Sequence, residues 1–474
     1  MNFTFWFGTI VFLGTYIVIA SEKINKTAAA MFGASIMLLF ILPGPAHHAP
    51  EKLDSEVGQH IEAVSAPQIP VSPEITGHQD LYSKLDTYSR YVNFDVIFTL
   101  AGMMILVNIL SGTGLFQYVA IKSAKIAKGS PIRTLILLVI STSVLSAFLD
   151  NVTTILLVAP VTLVVAAELG VPVMPFLMAE TMASNIGGTA TLIGDPPNLI
   201  IGSEANLSFM DFIVNMSPTV IIVMVIYCAA LSLYYSKRMK VTVEQRARVM
   251  EINEKAAITD PVNMKRGGIV MTLTIVGFLL HGMLGIQPSV VAMAGAALGL
   301  VVCKVNLDHM LEKVEWNTLF FFLGLFVIVR GAEEVGLMLE FGKVLNFMTG
   351  WNPLLIIMTI MWLSGIAAML MNNVSYTAAM VSIVSAFIAA TPVFAGNPEM
   401  TRLLWWALAL SVCLGGNGAL TGAAANMVTV GIASKAGVNI SYGSFMRYGI
   451  PVAAGSMVIA SLDIAFRYFF IIGK

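Results

Sequence analysis

Apolar runs of about 17 to 25 residues recur along the 474-residue chain. Each is long enough to cross a hydrocarbon core of roughly 30 Å as a helix. The runs are continuous rather than alternating, which excludes a membrane β-barrel. The pattern therefore predicts an all-α polytopic membrane protein. In the first half, spans are expected near 2–20, 27–44, 94–112, 173–203 and 211–235, with a re-entrant hairpin over 131–167 whose tip lies near Asp150. In the second half, they are expected near 267–284, 287–304, 316–334, 402–430 and 445–470, with a hairpin over 353–391. The first run lacks a basic leading region, so it reads as a true span.

The two halves resemble each other. At a constant offset of 222, Phe98 meets Phe320, Gly102 meets Gly324, Pro131 meets Pro353, and Asn151-Val152-Thr153 meets Asn373-Val374-Ser375. At an offset of 228, Gly187-Gly188 meets Gly415-Gly416, Gly194 meets Gly422 and Asn198 meets Asn426. At 233, "NLSFMDFIVNMSP" meets "NISYGSFMRYGIP". Ordered pairs of Asn, Pro and Gly with slowly drifting offsets point to homologous repeats. The division is 1–236, a linker 237–266, and 267–474. An odd number of spans per half places the second half upside down relative to the first.

Charge fixes the expected orientation. Only 11% of the residues are charged, against about 25% in soluble domains. The linker carries Lys237, Arg238, Lys240, Arg246, Arg248, Lys255, Lys265 and Arg266, which marks it as cytoplasmic. Loop 45–92 then falls outside, in the periplasm of a bacterial-type inner membrane, as do loop 392–401 and both termini. Lys122, Lys125 and Lys128 lie in an amphipathic stretch that reads as a short interfacial helix. Loop 45–92 holds five Pro, seven acids and four His (His47, His48, His60, His78), in no familiar metal-ligand spacing. The net charge of −1 gives no sign of nucleic-acid binding. Cys228, Cys303 and Cys413 read as buried thiols. No nucleophile–base spacing suggests an enzyme, and no cofactor is implied.

Candidate chemistry lies in four polar breaks of the apolar pattern: "DNVTT" (150–154), "NIGGTATLIGDPPN" (185–198), "NNVSYT" (372–377) and "GGNGALTGAAAN" (415–426). An acid at mid-bilayer costs roughly 2.5–3.5 kcal/mol, which makes Asp150 in "SAFLDNVTTILLVAP" conspicuous. Either Asp150 or Asn151 could simply cap the hairpin's second limb. Glycine and proline in the second and fourth breaks interrupt helices, freeing backbone groups that are tolerated only inside protein or along a wet cavity. Oxygen and amide groups then supply ligands: Asn151, Thr153, Asn185, Gly188, Thr189, Thr191, Asn198, Asn372, Asn373, Ser375, Asn417, Thr421 and Asn426. Four of these, Asn151, Asn198, Asn373 and Asn426, are the positions proposed for Na+. Asp150 faces Asn372 in the repeat and Asp195 faces Ala423, so the acids break the symmetry and could exchange a proton for a cation. Glu180 is a third proton-coupling candidate.

"SAFLDNVTTILLVAPVT" followed by "NIGGTATLIGDPPNLII" resembles the ArsB/NhaD branch of the ion transporter superfamily, in particular its P-protein-like and citrate-transporter-like members. The resemblance implies a homodimer with scaffold and transport domains, re-entrant hairpins and elevator-like alternating access. By motif match it places function on Asp150, Asn151, Thr153, Asn185, Thr189, Asp195 and Asn198. The expected activity is secondary transport in the lipid bilayer by Na+(Li+)/H+ antiport, because intramembrane acids beside hydroxyls, amides and carbonyls suit a hard cation. Arsenite efflux or carboxylate transport is the alternative. No arginine in the breaks stands ready to clamp a citrate. A passive channel would need a continuous pore, which broken helices and hairpins do not suggest.

Overall fold

The structure is a computed structural model that describes residues 3–21, 24–42, 91–345, 348 and 350–472. All of loop 45–92 except its last two residues lies outside the described residues, and so do its four histidines. The described chain is helical. In order, the helices are α1 (Phe3–Ser21), α2 (Lys26–Phe40), α3 (Phe94–Ser111), α4 (Leu115–Ile126), α5 (Pro131–Ser146), α6 (Asn151–Leu169) and α7 (Met174–Gly188). They continue with α8 (Pro196–Glu204), α9 (Phe209–Tyr235), α10 (Val243–Glu251), α11 (Pro261–Leu284), α12 (Pro288–Cys303), α13 (Leu307–Glu312) and α14 (Trp316–Glu334). The last are α15 (Leu337–Leu345), α16 (Pro353–Leu370), α17 (Asn373–Ala390), α18 (Pro392–Ala395), α19 (Pro398–Gly415), α20 (Ala424–Lys435) and α21 (Tyr442–Arg467).

Among the described residues, eight of these helices are long and apolar enough to cross a bilayer, and four shorter ones are also apolar. Their outward faces stay greasy: Val214, Ile221, Val225 and Leu233 of α9 are all exposed. This surface suits lipid and not water, so the protein is a multi-pass integral membrane protein. Helix starts follow local chemistry. Proline opens α5, α8, α11, α12, α16 and α19, where its missing N–H costs nothing. Side chains of Asn352, Asn372 and Asn397 cap α16, α17 and α19.

The chain forms two compact units, and each draws on both sequence halves. One holds the described residues within 1–94 and 320–337. Within it, α14 lies against α2 so closely that a Cβ on Gly324 would sit 2.8 Å from the carbonyl carbon of Ala30. The other holds residues 95–319 and 338–474. There α3 approaches α12 in the same way, with Gly102 against the carbonyl carbon of Ala292 at 2.6 Å. The repeat-matched pair Gly102 and Gly324 thus makes matching contacts.

Within the larger unit, α5 and α6 form one helical pair and α16 and α17 another, each with a short turn at its tip. The predicted long spans 173–203 and 402–430 are broken. Helix α7 stops at Gly188 and α8 begins at Pro196; α19 stops at Gly415, and two 3-10 turns precede α20. The interfacial segment is a separate helix, α4. The linker is folded against the end of α3 and against α4: Thr259 N–H donates to the Thr113 carbonyl (3.0 Å), and Lys125 Nζ donates to Glu254 (2.5 Å) and to the Ile252 carbonyl (3.1 Å).

Candidate functional site

The two unwound stretches face each other deep in the larger unit. Two glycine contacts bring them there. A Cβ on Gly187 would lie 2.2 Å from the Ser143 carbonyl oxygen on α5, and one on Gly415 would lie 2.4 Å from the Gly365 oxygen on α16. Only hydrogen fits at either point. Hydroxyls then lock the first hairpin onto α7: Ser146 Oγ donates to the Ser184 carbonyl (2.7 Å), and Ser184 Oγ donates to the Asn151 carbonyl (3.0 Å).

Asparagines converge at the centre. Asn151 Nδ2 donates to Asn185 Oδ1 (3.1 Å) and to Asp195 Oδ1 (3.4 Å). Asn185 Nδ2 donates to both Asn417 Oδ1 and Asn426 Oδ1, each at 2.9 Å. From the other hairpin, Asn373 Nδ2 donates to Asp195 Oδ2 (3.3 Å). Four breaks of the apolar pattern, more than 270 residues apart in sequence at the extremes, are thereby joined by side-chain amides around one carboxylate. Asn151, Asn185, Asp195, Asn373, Asn417 and Asn426 are all buried.

Asn198 and the amide of Asn426 hold the loops' shapes. Asn198 Nδ2 donates to the carbonyls of Thr191 (2.8 Å), Thr189 (3.3 Å) and Gly188 (3.4 Å). Its repeat partner Asn426 donates to Ala419 (2.8 Å) and Gly416 (2.9 Å). Thr189 Oγ1 donates to the Asn185 carbonyl (2.8 Å), and Thr191 Oγ1 donates to the Ala147 carbonyl. These groups are therefore occupied with backbone carbonyls of the broken stretches and the first hairpin's tip. Among the described residues, Asn417 Nδ2 is buried without a partner. Ser375, two residues from Asn373, is also buried.

Other expected site residues stand apart. Asp150 caps α6, accepting from Thr153 N–H (2.8 Å) and from Thr153 Oγ1 (2.5 Å), so its two oxygens and Thr153 satisfy one another. It is half-buried beside a void of about 10 Å³, into which Thr99 also faces, and it lies within electrostatic reach of Asp195. Asn372 caps α17 through Val374 N–H (3.2 Å). Thr421 is half-buried and donates to the Leu370 carbonyl (3.3 Å), away from the asparagines. Glu180 lies fully buried, with Oε1 accepting from Thr162 Oγ1 (2.7 Å).

Cys413 is a buried thiol, as its apolar surroundings predict, and it also belongs to the cluster. Its Sγ donates to Asn198 Oδ1 (3.3 Å). The repeat offset of 228 carried the signal, because it aligns Cys413 with Asn185. The buried hydroxyl pair Thr181–Thr429 (2.5 Å) joins α7 to α20 and had no such sign in the sequence. Among the described residues, no Lys or Arg pairs with Asp150, Glu180 or Asp195, and no group of three metal-ligating side chains gathers.

The profile of the Citrate transporter family matches residues 16–411. A "46 kDa membrane protein" of Mycobacterium leprae is 39% identical, with 97% of each chain covered. An uncharacterized transporter of Mycobacterium tuberculosis is also 39% identical over 97% of each chain. The P protein of Homo sapiens is 29% identical across 78% of this chain and 53% of its own. Two solved structures share the fold at a TM-score of 0.58 and 13% identity: the YdaH transporter of Alcanivorax borkumensis, covering 98% of both chains, and MtrF of Neisseria gonorrhoeae, covering 97% and 98%. The family match spans most of the chain, including three of the four polar breaks, so this protein belongs to the Citrate transporter family and is a secondary transporter of the ion transporter superfamily.

Proposed function

We propose that this transporter exchanges Na+ or Li+ for protons at the asparagine cluster. The observation that carries the reading is Asp195: a fully buried carboxylate with no cationic side chain paired to it, contacted by one amide from each hairpin. A buried charge without a partner is costly, so the carboxyl must take a proton or a cation. Amide oxygens of Asn185, Asn417 and Asn426 stand in the same cluster, and hard cations prefer such oxygen ligands. Asp150, within electrostatic reach, is the second acid. It couples the proton to ion movement, and Asn151 and Thr153 beside it hold the hairpin tip that the ion meets.

The broader reading joins the repeat pattern to the lysine and arginine bias. Residues 1–236 and 267–474 act as inverted repeats around the cluster, with 237–266 a cytoplasmic linker and both termini outside. Matching contacts at Gly102 and Gly324, at Gly187 and Gly415, and at Asn198 and Asn426 support the repeat. Broken helices and paired hairpins suit an elevator-like movement of the cluster within a homodimer.

A small anion, a carboxylate or arsenite, is the second reading. The unpartnered Asn417 Nδ2 favours it, since a buried donor wants an acceptor. Inverted vesicles loaded with a pH-sensitive dye separate the two. Proton movement evoked by Na+ or Li+ supports antiport. Movement evoked by citrate or arsenite and by neither cation assigns the anion reading. No response to any of the four overturns both.

A further inference from the structure

Away from the cluster, a cleft of about 560 Å³ opens between α7, α9 and α21. Its chemistry changes along the helix axes. The deeper walls are mainly apolar, with Met178 and Met182 from α7, Val223 and Ile226 from α9, and Val452 and Ile459 from α21; Ser456 and Tyr227, whose hydroxyl donates to the Ala179 carbonyl, interrupt them. One end is polar. There, Tyr234 and Tyr235 at the close of α9 meet Arg447 and Tyr448 near the start of α21. From Arg447 to Ile459 the cleft follows α21 for about 18 Å, at 1.5 Å per residue.

The polar end carries uncompensated positive charge. Arg447 is exposed, and no acid pairs with it among the described residues. The Arg238 guanidinium lies 3.9 Å over the Tyr234 ring and adds a second cation beside the opening. Tyr234, Tyr235 and Tyr448 line this end, so it also offers phenol groups. Tyrosines at such a level are at home in the headgroup region.

We propose that this cleft binds an anionic phospholipid, its phosphate on Arg447 and the tyrosine hydroxyls and an acyl chain along the apolar walls. A free phosphate would leave the apolar length unfilled, and a neutral lipid would leave the arginines unmatched. Basic pockets between membrane helices recognise anionic headgroups on these terms.

The full chain, purified in detergent, is titrated with dioleoyl phosphatidylglycerol or with dioleoyl phosphatidylcholine, and thermal unfolding is followed. Phosphatidylglycerol should raise the midpoint above that reached with phosphatidylcholine. Arg447→Gln should abolish the difference, whereas Arg402→Gln, at an exposed position of α19 that does not line the cleft, should keep it. Gly455→Leu should also abolish it by filling the cleft: Gly455 is a lining residue with no atom within 4 Å of an added Cβ. Should Arg447→Gln fail to fold, Gly455→Leu decides alone, because it leaves the arginine in place. Equal stabilisation by both lipids in the unaltered protein overturns the proposal. So does a lipid preference that survives either cleft variant. Conversion of a dimer to a monomer by Gly455→Leu with lipid preference unchanged would instead make a second copy the occupant.

Discussion

Asp150 and Asp195 occupy environments of opposite kind. Asp150 spends both oxygens on Thr153 at the start of α6, while Asp195 meets side-chain amides from both hairpins and the Cys413 thiol. Capping and coupling are compatible at Asp150, since an asparagine caps a helix about as well as an aspartate. Asp150→Asn should therefore insert and fold with a stability change below about 1 kcal/mol. Proton-coupled transport should be lost, measured as dye response in inverted vesicles. Full coupled transport by that variant would leave Asp150 as a cap alone and shift the role to Asp195. Asn372, the repeat partner, cannot titrate. Asn372→Ala should remove a cap worth about 1 kcal/mol and weaken ion binding while leaving some pH dependence. A pH-independent Asn372→Ala variant would contradict that division of roles.

Two element-scale contacts position the site. Gly187 on Ser143 and Gly415 on Gly365 let α7 and α19 approach their hairpins at backbone distance. Adding one methyl group at either point forces the helices apart. Overpacking of this kind costs about 1–3 kcal/mol. Gly187→Ala and Gly415→Ala should each lower the unfolding midpoint and impair transport, whereas Gly455→Ala, which meets open space, should do neither. The third contact is the linker's clasp on α4. Lys125, hydrogen-bonded to Glu254, holds that carboxyl down at about 2, with Lys122 adding to the effect. A lowered folded value means that the clasp stabilises above the ordinary value of 4.5 and fades as pH falls toward about 2. Glu254→Gln should accordingly unfold at a lower temperature than the unaltered protein at pH 7, and the gap should close between about pH 4.5 and 2. A gap that stays constant across that window would show that the clasp is not ionic.

Orientation belongs to the whole molecule. The lysine and arginine bias predicts the linker inside and loop 392–401 outside. Glu251 and Glu399 are exposed on these two segments. With Cys228, Cys303 and Cys413 replaced by serine or alanine, Glu399→Cys should react with an impermeant thiol reagent on intact cells and Glu251→Cys only after lysis. The reverse order would turn the protein over. At this scale the compact units also cut across the sequence halves, because α1 and α2 join residues 320–337 while α3 packs with α12.

Hydrophobic run length alone determined the helical membrane class, and charge bias alone gave an orientation to test. Most helix limits were legible too, since Asn, Asp and Pro mark the starts and Gly the stops, through interactions confined to one turn. The repeat offsets even pointed to the asparagines that gather. Tertiary structure decided their division of labour. Whether a carboxylate meets its own helix, as Asp150 does, or amides from both hairpins, as Asp195 does, depends on neighbours up to 178 residues away. Thr421 turning to Leu370, Cys413 entering the cluster and Thr181 meeting Thr429 are likewise matters of packing. A local pattern fixes which face of a helix a residue occupies; only the assembled helices fix what that face meets.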